Sequence, residues 1–246
     1  MASSALKGPQ EIFSVPPTWV PKVRHWEHFR TVFEQLPFAR WMMNSGIVSV
    51  TVTLVALLTH AMAAYSLARL RYPGRRFIFA LIIGTLMIPF CVIMIPLYIQ
   101  VRAFGWLDTY WALIIPSIPN AFGIFLLHQF YLTIPTELED AARVDGCSKA
   151  GIFFRIVLPL SKPILAALAV FFFVANWNSF LWPLLVTSST AMKTVQVGIA
   201  GYSGQYQNPW AYMMAANTIA VIPNLVVFVL FQRQLMTSIA MSGIKG

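Results

Sequence analysis

The sequence predicts an all-α, polytopic membrane protein with about five membrane crossings. Two observations carry that prediction. Only 10% of the 246 residues are charged and 58% are hydrophobic, with a mean hydropathy of +0.70; a soluble domain carries about a quarter charged residues. The apolar residues also fall into long runs without Asp, Glu, Lys or Arg: 45–68, 77–101, 109–136, 163–192 and 194–232, the last continuously apolar only over 212–231. Each run holds the roughly 20 apolar residues that one transmembrane helix requires.

The charges between the runs set an orientation. Arg69, Arg71, Arg75 and Arg76 surround Pro73 and Gly74 in the first connection. The second carries Arg102 and Asp108, the third Arg143, Lys149, Arg155 and Lys162, the fourth Lys193, and the tail Arg233 and Lys245. Basic residues accumulate on the cytoplasmic side, so connections one and three and the tail are expected inside, and connections two and four outside. An odd number of crossings puts residues 1–44 outside, yet they hold Lys7, Lys22, Arg24, Arg30 and Arg40, against the charge rule. The segment is read as an extracytoplasmic or interfacial piece ahead of a transmembrane domain at 45–246. The net charge of +9 lies between apolar blocks, which points to the bilayer and not to nucleic acid. Cys91 and Cys147 make neither a disulfide framework nor a metal spacing. Pro89, Pro96, Pro116, Pro119, Pro183 and Pro223 fall inside the runs and should kink them. Kinked helices suit a transporter or channel better than a simple anchor.

The third connection, 136–163, is the most patterned. Thr136 and Glu139 have capping-box spacing, and Glu137, Glu139 and Asp140 crowd a first turn where the helix dipole favours acids. Glu139 and Arg143 form an i, i+4 pair, and Leu138, Ala141 and Ala142 share a face. Gly146 is placed to end the helix in the left-handed conformation. Ser148 then caps a second helix running to Leu158, and Pro159 and Pro163 close it. Two short helices about a glycine elbow, with a small Ala-rich surface flanked by acids, suit docking into a groove on a partner; a hairpin that merely joins two crossings fits the same pattern.

Inside the runs the only titratable acids or bases are His60 and His128. An intramembrane His is a functional candidate or is paired to a neighbour. Without membrane acids, an ion-coupled secondary carrier is disfavoured, and a membrane enzyme lacks a nucleophile with a base or a metal constellation. The neutral groups Asn120, Asn176, Trp177, Asn178 and Trp182, with Asn217 and Asn224, suit a hydroxyl-rich solute, since amides and rings bind hydroxyls and sugar faces; the same amides also serve as glue between helices. The fourth connection, 187–211, is long and rich in Gly and Tyr, as functional loops often are.

Residues carry a family resemblance here. The run Glu139-Asp140-Ala141-Ala142, then Asp145-Gly146, then Ile156-Val157-Leu158-Pro159-Leu160 and Pro163, resembles the cytoplasmic EAA loop of ABC-importer permeases, with Asp140 where Glu is usual. Ala63-Ala64-Tyr65-Ser66-Leu67-Ala68-Arg69-Leu70, Pro73-Gly74-Arg75, Met87-Ile88-Pro89, Trp177-Asn178, Trp182-Pro183 and Ile244-Lys245-Gly246 are similar to the second permease of carbohydrate importers of the maltose and glycerol-phosphate type. So are Leu6-Lys7, Glu11-Ile12, Pro16-Pro17, Trp19 and Asn44-Ser45; Met241-Ser242-Gly243 departs slightly. In that family this N-terminal text follows a first membrane helix, so a shortened reading frame or a five-helix variant is expected.

The resemblance implies a permease subunit in the bacterial cytoplasmic (inner) membrane. Its implied partners are a homologous second permease, two ATPase subunits and an extracytoplasmic solute-binding protein. Glu139, Asp140, Ala141, Ala142, Asp145, Gly146 and Pro159 would couple to the ATPase, and Tyr202, Gly204, Gln205 and Tyr206 would meet the binding protein. The chain itself is expected to hold no cofactor or metal, ATP and Mg being bound by the partner, and not to be an enzyme. Its nearest approach to a phosphate loop, 146–151, lacks the Lys-Ser/Thr ending.

Overall fold

The computed structural model describes residues 1–16, 18–201 and 209–243, with Pro9, Pro209 and the residues after Gln232 described by backbone alone. The described chain is helical without strands. Its elements are α1 (Ala2–Ala5), α2 (Pro9–Ile12), α3 (Glu27–Glu34), α4 (Phe38–Arg69), α5 (Arg75–Thr85), α6 (Phe90–Ala103), α7 (Tyr110–Ile114), α8 (Ala121–Thr133) and α9 (Thr136–Val144). They continue with α10 (Lys149–Ile152), α11 (Leu158–Leu160), α12 (Lys162–Trp177), α13 (Leu181–Val186), α14 (Val195–Gly201), α15 (Pro209–Ala220) and α16 (Ile222–Gly243). A 3₁₀ turn, Ile115–Ser117, follows α7, and a π turn, Phe153–Val157, joins α10 to α11.

Two segments, Phe38–Arg69 and Trp210–Gln232, are long and apolar enough to cross a membrane unaided. Three further candidates among the described residues are bent pairs, each a broken span or a re-entrant loop: bent by 100° between α5 and α6, by 40° between Tyr110–Ser117 and α8, and by 76° between Lys149–Leu160 and α12. The count therefore reaches the expected five when each bent pair is one span. A straight crossing over 77–101 is ruled out by the 100° bend. The breaks fall where proline removes an N–H: Pro89 stands just before α6, Pro116 in the 3₁₀ turn, and Pro119 just before the α8 cap. Pro223 sits in the first turn of α16, where the missing donor has no intrahelical partner to lose.

The chain divides into two compact units. The first comprises Met1–Val50, Gln100–Ile114 and Val174–Val227. The expected border between 44 and 45 falls inside α4, and residues 1–44 lie within the first unit. Helices α1 and α3 pack on α15, with Ala5 and Val32 wholly buried.

The described first part of the fourth connection, 187–201, is held by side-chain hydrogen bonds and carries a helix. Asn44, wholly buried, donates through Nδ2 to the carbonyls of Ala191 and Lys193, both at 2.8 Å, and accepts from Tyr110 Oη at 2.7 Å. Trp41 Nε1 donates to Thr190 O at 2.7 Å, and Ser45 Oγ accepts from Val195 N at 2.9 Å. Asp108, at φ 59°, accepts from the N–H groups of Ser188 and Ser189 at 2.9 and 3.0 Å. Burial pushes its carboxyl up, but these bonds and one from the Ser189 side chain leave it below the usual carboxylate value. Behind this latch α14 buries Val195, Val197, Gly198 and Ile199.

The second unit comprises Thr51–Ile99, Ile115–Phe173 and the chain from Phe228 onward. Its core gathers Tyr65, Leu127, Tyr131, Ile152, Phe153 and Phe172 against Ala61, Ala64 and Ala68 of α4. That stripe of small residues lets neighbouring helices approach closely.

Gly198 is required by packing. A Cβ there would lie 2.0 Å from Cε3 of Trp41, whereas one at Gly201 would meet nothing within 4 Å among the described residues. Gly198→Ala should lower stability by about 1–3 kcal/mol through forced displacement of the indole. Thermal unfolding in detergent measures this; Gly201→Ala should leave the midpoint unchanged or slightly raised, since Ala is the better helix former.

Candidate functional site

The patterned connection folds as the predicted elbow, but its acids are used differently. Helix α9 begins at Thr136 behind Pro135 with no side-chain cap, so the Thr136–Glu139 capping box does not form. Glu139 turns inward instead and is 2% exposed. Its Oε1 lies 3.3 Å from Nε of Arg69, an ion contact rather than an aligned hydrogen bond. Its Oε2 accepts from Tyr65 Oη at 3.4 Å and lies 3.5 Å from Nη2 of Arg143.

Arg69 ends α4 and does three things at once. Its Nη2 donates to the carbonyls of Tyr131 and Ile134 at the end of α8. Those carbonyls have no intrahelical partner, and a cation at a helix C-terminus is favoured by the dipole. The same guanidinium faces a carboxylate in the first turn of α9, where negative charge is favoured. One planar, multi-donor side chain thus joins three helices, a task a lysine could not perform with one point charge.

The expected apolar face divides in two. Ala142, 6% exposed, faces inward with Glu139, while Leu138 (44% exposed), Ala141 and Val144 (88% exposed) form the outward face. Asp140 is exposed and pairs with Arg143 at 2.7 Å, a contact worth little in water. Asp145 and Gly146 are exposed at the tip. Gly146 has φ 78°, with Cys147 N donating to Ala142 O at 2.9 Å and Gly146 N to Arg143 O at 3.0 Å, which is a Schellman ending. Ser148 caps α10 as expected, accepting from Gly151 N at 3.1 Å. The second helix passes through the π turn and ends at Leu160, past Leu158, with Pro159 exposed inside α11. A cleft of about 400 Å³ opens beside the elbow, lined by Arg69, Arg71, Thr136, Glu139, Asp140 and Arg143 among others.

The neutral residues separate by environment. Trp177 and Trp182 are buried, their indole N–H groups donating to Ala220 O and Ala112 O at 2.9 Å each, so both rings are packing anchors with satisfied donors. Asn178 is exposed, and its Oδ1 gathers Nε2 of Gln196 at 3.4 Å and Nδ2 of Asn224 at 3.3 Å; the buried Oδ1 of Asn224 has no partner among the described residues. Asn176, beside this cluster in sequence, is half-buried on α12. Asn120 belongs to the second unit. It caps α8 by accepting from Gly123 N at 3.1 Å, and its own N–H donates to Nε2 of His60 at 3.2 Å. His60 is 3% exposed and stands edge-on to Phe172 at 5.4 Å, the paired arrangement. Thr59, His60, Asn120, Phe90, Phe122 and Phe171 border a recess of about 830 Å³. Tyr202, Gly204, Gln205 and Tyr206 lie outside the described residues.

Arg69 and Tyr65 are the partners of Glu139 that sequence reasoning missed. The available signal was Arg69 as the first charge after the uncharged run 45–68, opposite an acid-rich helix whose inward carboxylate needs a cation.

Residues 58–240 match the family described as binding-protein-dependent transport system inner membrane component, and the chain belongs to that family. It is 38% identical to the arabinooligosaccharides transport system permease protein AraQ of Halalkalibacterium halodurans, over 84% of this chain and 74% of the relative. It is 35% identical to the sn-glycerol-3-phosphate transport system permease protein UgpE of Pectobacterium atrosepticum, over 91% and 83%. With the sulfoquinovosyl glycerol transport system permease protein SmoH of Agrobacterium fabrum it shares 32% identity, over 99% and 86%. The fold matches a crystal structure of a bacterial ABC transporter involved in the import of the acidic polysaccharide alginate, with a TM-score of 0.85 and 22% identity, over 95% of this chain and 88% of that one. The chain is a multi-pass membrane component of a transport system.

Removing one partner of the buried ion pair strands the other. Glu139→Ala should cost about 3–5 kcal/mol, read as a lowered unfolding midpoint and reduced folded yield. The paired replacement Arg69→Met with Glu139→Leu should recover most of that loss, and Asp140→Ala should move the midpoint by less than about 0.5 kcal/mol.

Proposed function

We propose that this chain is one membrane half of an ATP-driven importer for a carbohydrate or polyol derivative. It pairs with a homologous permease subunit, receives solute from an extracytoplasmic binding protein, and is driven by two ATPase subunits that bind the ATP and Mg. The elbow lies on the cytoplasmic side, as the basic connections suggest. The single observation that carries this reading is the two-faced α9. Leu138, Ala141 and Val144 face outward at helical spacing, an anchor pattern for a helix received by a groove. The opposite face is held by charge to α4 and α8. A groove that closes around the outward face therefore moves the ends of two membrane helices with it.

The cargo class rests on two supports. The relatives are named for arabinooligosaccharides, sn-glycerol-3-phosphate and sulfoquinovosyl glycerol, all rich in hydroxyls. The Asn178–Gln196–Asn224 cluster offers neutral hydrogen bonds, with the exposed Asn178 amide the group that a hydroxyl can reach. Tyr202, Gly204, Gln205 and Tyr206 are assigned to the binding-protein contact, and Asn120, Asn176 and Asn178 to the solute path. Catalysis of ATP hydrolysis belongs to the partner.

Ala141→Trp tests the docking face. The substituted chain should reach the membrane at the normal level, retain about a tenth or less of ATPase co-purification, and lose uptake in proportion. Ala142→Trp, at the buried position, should reduce the folded protein itself. Full uptake by Ala141→Trp would overturn the assignment of α9.

A further inference from the structure

We propose that His25, Glu27 and His28 form a binding site for a divalent transition-metal cation of the zinc or copper class. The three side chains offer one ligand atom each within 4.8 Å of one another, and none of them takes part in the transport reading above. His28 is 7% exposed, and its Nδ1 lies 2.8 Å from the carbonyl of Ala5. A carbonyl can only accept, so Nδ1 carries the proton and Nε2 keeps its lone pair. A ligating histidine is commonly oriented by this same arrangement, with its second nitrogen bonded to a backbone carbonyl. The ring is further held edge-on by Tyr212 at 5.3 Å. His28 is thus a preset ligand that needs no rearrangement.

The other two ligands are nearer the surface. The His25 ring stacks on His28 at 5.4 Å with an interplanar angle of 22°. Glu27 Oε1 lies 2.5 Å from Nδ1 of His25, and the two side chains are 63% and 32% exposed respectively. Metal–ligand bonds of about 2.0–2.1 Å hold the ligand atoms of a tetrahedral site roughly 3.3 Å apart. Closing the cluster therefore requires side-chain shifts, for which the exposed Glu27 and the half-buried His25 have room. Two imidazoles and one carboxylate are a donor set for zinc or copper and not for calcium or magnesium, and a fourth position remains for water.

The site sits where it would act as a clasp. His25 precedes α3, Glu27 and His28 open it, and His28 reaches back to α1; both helices pack on α15. A bound ion would tie these segments together independently of transport.

Zinc titration of the purified, metal-stripped full chain against a chromophoric chelator tests the proposal. The wild type should take up about one Zn²⁺ per chain and unfold at a higher temperature with zinc than without. His25→Gln and His28→Asn should each lose both the zinc uptake and the zinc-dependent shift. His28→Asn keeps an N–H to donate to Ala5, and its unfolding midpoint should be the same with zinc as without it. Failure of the wild type to bind zinc, or undiminished binding by His25→Gln with His28→Asn combined, would overturn the proposal.

Discussion

The second unit is organised by one constraint: an arginine and a glutamate, both withdrawn from water, must find their partners inside the protein. Arg69 and Glu139 have side chains 7% and 3% exposed. Desolvating two charges costs several kcal/mol per ion, and their attraction offsets that cost only when further hydrogen bonds complete both groups. The completion comes from Tyr65 and Arg143 on the carboxylate side and from the carbonyls of Tyr131 and Ile134 on the guanidinium side. Those partners sit on α4, α8, α9 and the residues after α8. No one of these elements can shift without breaking a contact made by another, so the junction behaves as a rigid corner. An apolar pair of similar volume would hold the helices as well; the ions add a requirement for one register.

Outside this corner the bilayer sets the terms. A backbone group freed by proline inside hydrocarbon must find protein or water, so the breaks at Pro89 and at Pro116 to Pro119 mark stretches that face other protein or a wet path. The same rule governs the buried amides. Asn44 satisfies its groups on Ala191 and Lys193 of the fourth connection and on Tyr110 of α7, which holds the 187–195 stretch in place, whereas one oxygen of Asn224 has no partner among the described residues. One is a latch; the other is left with an unmet acceptor.

Much of this was legible in the sequence because it is written in local chemistry. The elbow at Gly146, the cap at Ser148, the Glu139–Arg143 pair and the five apolar runs follow from spacing and residue type alone. What escaped depends on partners distant in the chain. Thr136 and Glu139 have the spacing of a capping box, but a buried arginine 70 positions upstream competes for the same carboxylate and wins, since a charge-assisted contact outweighs one capping bond. Trp177 and Trp182 read as sugar platforms from their type, and only their burial and satisfied N–H groups identify them as anchors. The border at 44–45 followed from charge, which does not register that α4 begins at Phe38 and that α1 and α3 share a core with α15. Ranges such as 77–101 conceal bends, because hydropathy records length and not direction.

The central claim is that this charged corner transmits motion from α9 to the membrane helices. Reconstituting the Arg69→Met, Glu139→Leu chain with its partners in lipid vesicles, and measuring ATP hydrolysis and solute uptake together, tests it most directly. The account predicts an assembled complex that still hydrolyses ATP but has lost most of its uptake per ATP consumed. Uptake per ATP equal to that of the unaltered protein would contradict it.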